Sequence, residues 1–364
     1  MKKLIVGIIA LFLIMAAVPA LVSLPKVNFS ALGVSESIST QHTKEKTQNS
    51  SSEETKAAKN GDSTNSSKTQ DKNEVQDSAN NSEKHSEEKF LLLEEDGKKT
   101  ELGDKQILSG CLAAIMPRDY EEQSGYALAA AVYSNLRCAK EQRGKDKALD
   151  GADIAKNKTG AINYLTKQEA YEKHGKDFYS LCEKYASFGL KTSIKYNDKI
   201  IDAHIFKNCG GTTENSGELF DKPLPCHQSV SSPWDTLGSI KSEKKLSTEE
   251  VQKIISKNFN IDSFTNDLKN YFVIKSTARG GAVTKAEICG KSVTGIDIMN
   301  AFSLKSPCFT VTHSGGKLLF DVTGEGIPVG MSIDGANGMA KQGAKWNEIL
   351  NHYYIGATEI KAES

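Results

Sequence analysis

Residues 110–136 read GCLAAIMPRDYEEQSGYALAAAVYSNL, and the way this stretch divides decides what fold the chain can have. From Tyr120 to Arg143 it is rich in Ala, Leu, Glu and Gln, all good helix formers. Ala127, Ala130, Ala131 and Ser134 recur close to the three- and four-residue spacing of one helix face, so a helix is predicted over 120–143. Pro117 is assigned to its first turn, where a missing N–H costs nothing. The segment ahead of it reads as a buried turn of chain. Ile115 stands between the two, at the mouth of the helix, where a charged side chain could do chemistry.

Further along, TKQEAYEKHG (166–175) carries a capping box, Thr166 with Glu169, and a stop at Gly175. DFYSLCEKYASFG (177–189) predicts another short helix. LKTSIKYNDKIIDAHIF (190–206) alternates around Asn197-Asp198, a hairpin signature. LSTEEVQKIISKNF (246–259) predicts a capped helix with Val251, Ile254 and Ile255 inward. Residues 271–304 read as strand, glycine-rich turn, strand and short helix, and 308–326 as a second hairpin. The closing WNEILNHYYIGATEI (346–360) predicts a helix with Trp346, Ile349, Leu350 and Tyr353 on one face, then a short strand. Helices and antiparallel hairpins mixed without βαβ regularity indicate an α+β head over 90–364. That length is enough for a substantial core.

The chain ahead of the head differs in kind. Residues 1–29 begin with Lys2 and Lys3 and continue as an uncharged run from Leu4 to Pro25. Such a run spans a hydrocarbon core of about 30 Å as a helix and predicts a single-pass membrane anchor, with everything after it outside the cytoplasm. A cleaved secretory signal is the alternative, since MAAVPALVS (15–23) offers small residues to a peptidase. Residues 30–89 hold almost no apolar side chains and cannot offset the entropy of folding, so they read as a disordered tether.

Lys and Arg number 46, as do Asp and Glu, so the formal net charge is zero. That argues against a nucleic-acid partner held by phosphate attraction. The seven cysteines, Cys111, Cys138, Cys182, Cys209, Cys226, Cys289 and Cys308, are scattered and never spaced as C-x-x-C. Zinc gains little support, and mostly free, buried thiols are expected.

Four stretches carry a resemblance: AAIMP (113–117) with ALAAAVYSNL (127–136); AHIFKNCGGTTENSGELF (203–220) followed by SPWD (232–235); GEGIPVGMSIDGANGMAKQG (324–343); and WNEILNHYYIGATEI (346–360). In order and number they resemble the stage II sporulation protein D/LytB family of bacterial cell-wall proteins, whose active members are lytic transglycosylases. The resemblance covers 105–360.

Several polar positions of the family pattern are replaced here. Its Glu-Met-Pro, which supplies the catalytic acid, reads Ile115-Met116-Pro117. Its histidine and glutamine in G-H-G-V-G-M-S-Q-x-G-A are Ile327 and Ile333, the serine of its S-G-G motif is Cys209, and its A-R-T-Y reads Ala130-Ala131-Val132-Tyr133. The loop that holds zinc ligands in some members has Ala155, Ala161 and Ile162. Glycosidic cleavage needs a proton delivered to the leaving oxygen, and an isoleucine has none to give.

The resemblance therefore implies a membrane-anchored, extracytoplasmic cell-wall protein of the engulfment type that binds peptidoglycan glycan strands or a wall hydrolase. It implies no catalytic acid, no metal and no cofactor. Its cleft is expected to be lined by Tyr133, Gly210, Gly211, Thr213, Glu214, Gly330, Met331 and Ser332. An active transglycosylase with a relocated or partner-supplied acid is the alternative, with Glu214 the candidate acid and Glu218 a second. Glu121 and Glu122 are expected to complement a helix dipole. Cys209, with His204 or His227 as base, is expected to be an inert thiol rather than a nucleophile. A third possibility is a purely structural head, in which Ile115, Ile327 and Ile333 pack together.

Overall fold

The computed structural model describes residues 87–145, 149–156, 163–236, 240–265, 267–357 and 359–362. The anchor expected at 1–29 and the tether up to residue 86 lie outside them. Among the described residues no helix is long and apolar enough to cross a membrane.

Strands β1 (Lys89–Leu93) and β2 (Lys99–Gly103) form an antiparallel hairpin that leads into helices α1 (Asp104–Ile115) and α2 (Glu122–Glu141). Helix α1 corrects the sequence reading. The chain before Ile115 is helical, and Pro117 lies in the 116–121 connection, not in the first turn of α2. The cause is steric: a residue preceding proline is pushed out of the helical region. Met116 is accordingly extended (φ −84°, ψ 129°), with its N–H still bonded to Leu112 O, and the helix ends at Ile115.

The two-residue β3 (Ile154–Ala155) pairs parallel to β1. Helix α3 (Lys167–His174) opens on the expected capping box. Thr166 Oγ1 accepts the Glu169 N–H at 3.2 Å, and the Glu169 carboxylate accepts the Thr166 N–H at 2.8 Å. Gly175 ends it, and α4 (Lys176–Gly189) follows at once. Strands β4 (Thr192–Tyr196) and β5 (Lys199–Ile200) turn through Asn197 and Asp198, both left-handed (φ 50° and 61°), as a two-residue hairpin requires. Next come β6 (Ile205–Phe206), the short α5 (Ser216–Leu219) and a 3₁₀ turn at Pro233–Thr236.

Residues 241–323 then build a module with its own core. It contains β7 (Lys241–Ser247), α6 (Thr248–Phe259), β8 (Phe272–Thr277), β9 (Val283–Ile288), β10 (Lys291–Val293), α7 (Gly295–Phe302), β11 (Phe309–Ser314) and β12 (Lys317–Thr323). Its sheets run β10-β9-β8 and β11-β12-β7, antiparallel throughout. The rings of Phe272, Phe302, Phe309 and Phe320 meet at its centre with centroids 5.2–5.7 Å apart.

The chain leaves the module and returns as β13 (Met331–Ser332), parallel to β6, then α8 (Ile333–Lys341), α9 (Trp346–Tyr353) and β14 (Glu359–Ala362), which pairs with β4. The first core gathers α1, α2, α4, α8 and α9 through Leu108, Leu112, Leu128, Tyr133, Tyr185, Ile349 and Tyr353. A small third cluster, Leu219, Ala282, Ile296, Cys308 and Val329, joins residues of the module to residues outside it. The α+β reading agrees with this architecture.

Candidate functional site

The stretches singled out in the sequence converge at the pairing of β6 with β13. Two glycines make this possible. Gly330 is left-handed (φ 86°), and a Cβ there would stand 2.1 Å from His204 O. At Gly335 a Cβ would stand 2.1 Å from Tyr353 Oη and 2.3 Å from Ser232 Oγ. The first lets β13 lie against β6; the second lets α8 lie against the SPWD turn and α9.

Asp235 is the buried hub of this junction. Ser332 Oγ donates to its Oδ1 at 2.6 Å, while Cys209 N–H and Cys209 Sγ donate to its Oδ2 at 3.2 and 2.7 Å. Ser232 Oγ is hydrogen-bonded to Tyr353 Oη at 2.7 Å. Burial pushes the Asp235 carboxyl above the usual range, although these donors pull it back. Burial, with Asp235 beside it, also pushes the Cys209 thiol well up, so it stays protonated and is a poor nucleophile.

A second polar group lies at the surface of the same junction. Tyr120, in the connection after Ile115, donates its hydroxyl to Asp334 Oδ1 on the first turn of α8. Lys207, just after β6, reaches Tyr120 Oη at 2.7 Å and forms an ion pair with Asp334, its ammonium 5.0 Å from the Tyr120 ring centroid. Asn208 Nδ2 donates to Asp334 Oδ2 at 3.0 Å. Burial first, and Asp334 second, raise the Tyr120 phenol. The connection is pinned again by Glu121 N–H to Asn337 Oδ1 at 2.8 Å and by Arg118 to His174 O at 2.6 Å.

Six of the eight residues expected to line a cleft are buried. Tyr133 lies in the first core, and Thr213 binds Val230 through its backbone N–H and through Oγ1. Gly330, Met331 and Ser332 sit inside the β6–β13 junction. Glu214 is fully buried: Oε2 accepts the Gly280 N–H at 2.9 Å and Oε1 the Ala282 N–H at 3.0 Å. Burial raises its carboxyl, and the two amides work against that rise. Gly210 and Gly211 are half-buried in a left-handed turn, while Glu218 is exposed on α5.

Ile115 is half-buried against the same core as buried Ile333, whereas Ile327 packs in the third cluster with Val329. The three isoleucines therefore do not form one plug. His227 is buried, its Nε2 accepting the His204 N–H at 3.2 Å and its Nδ1 bonded to Pro225 O at 2.6 Å, so neither nitrogen is spare. Among the described residues no three His, Cys, Asp or Glu side chains come together as a metal site. The loop expected to lack zinc ligands is described only in part, Ala155 lying in β3 and 157–162 outside the described residues. An open dish of about 310 Å³ at the β1–β2 hairpin, lined by Glu94, Glu95, Asp96 and Lys156, shares no residue with this junction.

No family model matches the chain. It is 28% identical over 270 residues to stage II sporulation protein D of Bacillus amyloliquefaciens, covering 71% of this chain and 75% of that protein. With stage II sporulation protein D of Bacillus subtilis (strain 168) it shares 26% identity over 264 residues, again 71% and 75%. Over about seven-tenths of its length the chain is similar to stage II sporulation protein D. An uncharacterized protein of Brachyspira hyodysenteriae is 27% identical over 216 residues, 54% of this chain and 52% of that one. The resemblance first carried by the four stretches is thus borne out.

Sequence reasoning passed over Tyr120, Lys207, Asn208 and Asp334. Each lies inside or beside a quoted motif, and the available signal was positional: four polar residues within six positions of Ile115, Cys209 or Ile333.

Proposed function

We propose that this protein serves the bacterial cell wall during sporulation, as its similarity to stage II sporulation protein D supports, and that it binds peptidoglycan glycan strands without cleaving them. One observation carries the second half: the residue that ends α1, at the place where the family resemblance puts a general acid, is Ile115. Three carboxyls contributed by the other motif stretches are already engaged. Glu214 is buried on two amides, Asp235 is buried on a thiol and a hydroxyl, and Asp334 accepts from Tyr120, Lys207 and Asn208. Losing a general acid typically forfeits 10²–10⁴-fold in rate, and more where one group must also act as base.

In this reading residues 1–29 anchor the chain in the cell membrane, 30–89 act as a spacer, and the head stands on the outer side. There it holds the wall or recruits a wall hydrolase. The test is digestion of amidase-treated sacculi by the full chain, followed by a search for anhydro-sugar ends. Sedimentation with sacculi and no anhydro products is the expected result; abundant anhydro ends overturn it.

An active transglycosylase with a relocated acid is the second reading. The observation in its favour is that Asp334 is only partly covered, its side chain 22% exposed. Cleavage by the parent chain that disappears in Asp334→Asn while sacculus binding is retained would establish it.

A further inference from the structure

The geometry points to Tyr120, Lys207 and Asp334 as the side chains through which this protein grips an N-acetylhexosamine strand. This rests on the glycan-binding reading above and assigns it to residues that the motif pattern does not name. The argument starts from access. Tyr133, Thr213, Glu214, Gly330, Met331 and Ser332 are buried and committed to the fold, so none can meet a strand from outside. At the same junction the Lys207 side chain is 34% exposed, Asp334 is 22% exposed, and Tyr120 is half-buried.

Their chemistry suits sugar hydroxyls. A carboxylate accepts from two neighbouring hydroxyls, an ammonium donates to ring or hydroxyl oxygens, and a tyrosine gives both an apolar face and a polar tip. Cost is the second part. A half-buried ion pair already holds its groups in one geometry, so a strand that bridges them gains hydrogen bonds with little further ordering. The third part is the location. Tyr120 is held in the short connection that begins immediately after Ile115, and Asp334 follows Ile333, which shares a core with Ile115. The grip therefore includes a side chain only five residues beyond the position to which the resemblance assigns the general acid. A strand held there would meet an apolar side chain instead of an acid.

Binding of the full chain to peptide-stripped sacculi and to tetra-N-acetylchitotetraose tests this. Lys207→Met, Asp334→Asn and Tyr120→Phe should each weaken both by about tenfold or more, with the unfolding temperature measured alongside. The exchanged pair Lys207→Asp with Asp334→Lys separates a contact from a scaffold role. It restores the ion pair and with it the fold, but reverses the donor and acceptor presented to the sugar, so binding should stay lost. Recovery of binding in the exchanged pair, or single variants that bind as the parent does, overturns the assignment and leaves the function reading standing. A parent chain that binds neither probe overturns both.

Discussion

At the scale of single residues, buried titratable groups make the clearest expectations. Burial depresses the His227 imidazole from 6.5 to about 4, with the Pro225 carbonyl opposing. Between those values the unfolded chain holds the proton and the folded one does not. Stability therefore falls as pH drops from above 6.5 towards 4, and this contribution is flat above 6.5. The full effect is about 3–4 kcal/mol, at ~1.4 kcal/mol for each pH unit between 6.5 and about 4. His227→Gln should flatten that acid limb by a similar amount in urea titrations across pH 4–7. Glu214 and Asp235, whose carboxyls are raised, act in the opposite sense, but they are common to both proteins and cancel in the comparison. Glu214→Ala should destabilise for a different reason. It strands the Gly280 and Ala282 amides, each worth about 1–3 kcal/mol when left unpaired, and chemical denaturation reads the loss. Ile115→Glu should leave anhydro products at background. A carboxyl alone does not replace the polar groups that Ile327 and Ile333 would have to supply.

At the scale of elements, what could be read beforehand was what is written locally. The capping boxes of α3 and α6, the Asn197-Asp198 hairpin and the β11–β12 hairpin each depend on residues within a few positions of one another. Helix α1 was missed because it is buried on nearly every side, so no polar face marks its period, and Ser109, Gly110 and Cys111 lower its propensity. Strand β7, KSEKKLS, buries only Leu246. Its seven pairings with β12 make it a strand, and nothing within its own sequence announces them. The site was legible in its glycines and illegible in its contacts, since Tyr120 and Asp334 meet across 214 positions. Local encoding can itself be measured. Ser247 Oγ accepts the Glu250 N–H at 3.3 Å at the start of α6, so Ser247→Ala should cost roughly 1 kcal/mol, visible as a lower denaturation midpoint with an unchanged slope.

At the scale of the whole molecule, two cores meet through a narrow seam, and that arrangement sets how the protein comes apart. The 241–323 module packs around four phenylalanines, and the helical part packs around α1 and α2; between them lie the small Leu219–Val329 cluster and the Glu214 bonds. Phe320 is fully buried and touches Phe272, Phe302 and Phe309, so Phe320→Ala should cost about 3–5 kcal/mol. If the seam is weaker than either core, that loss falls on the module alone. Hydrogen exchange should then quicken at the amides of β8, β9, β11 and β12 while those of α1 and α2 keep their protection. The glycan grip at Tyr120, Lys207 and Asp334 is built from β6, α8 and the connection after α1, all outside the module. Sacculus binding by Phe320→Ala should therefore persist under conditions where the module exchanges freely. Uniform quickening across both cores would show instead that the seam couples them into a single cooperative unit.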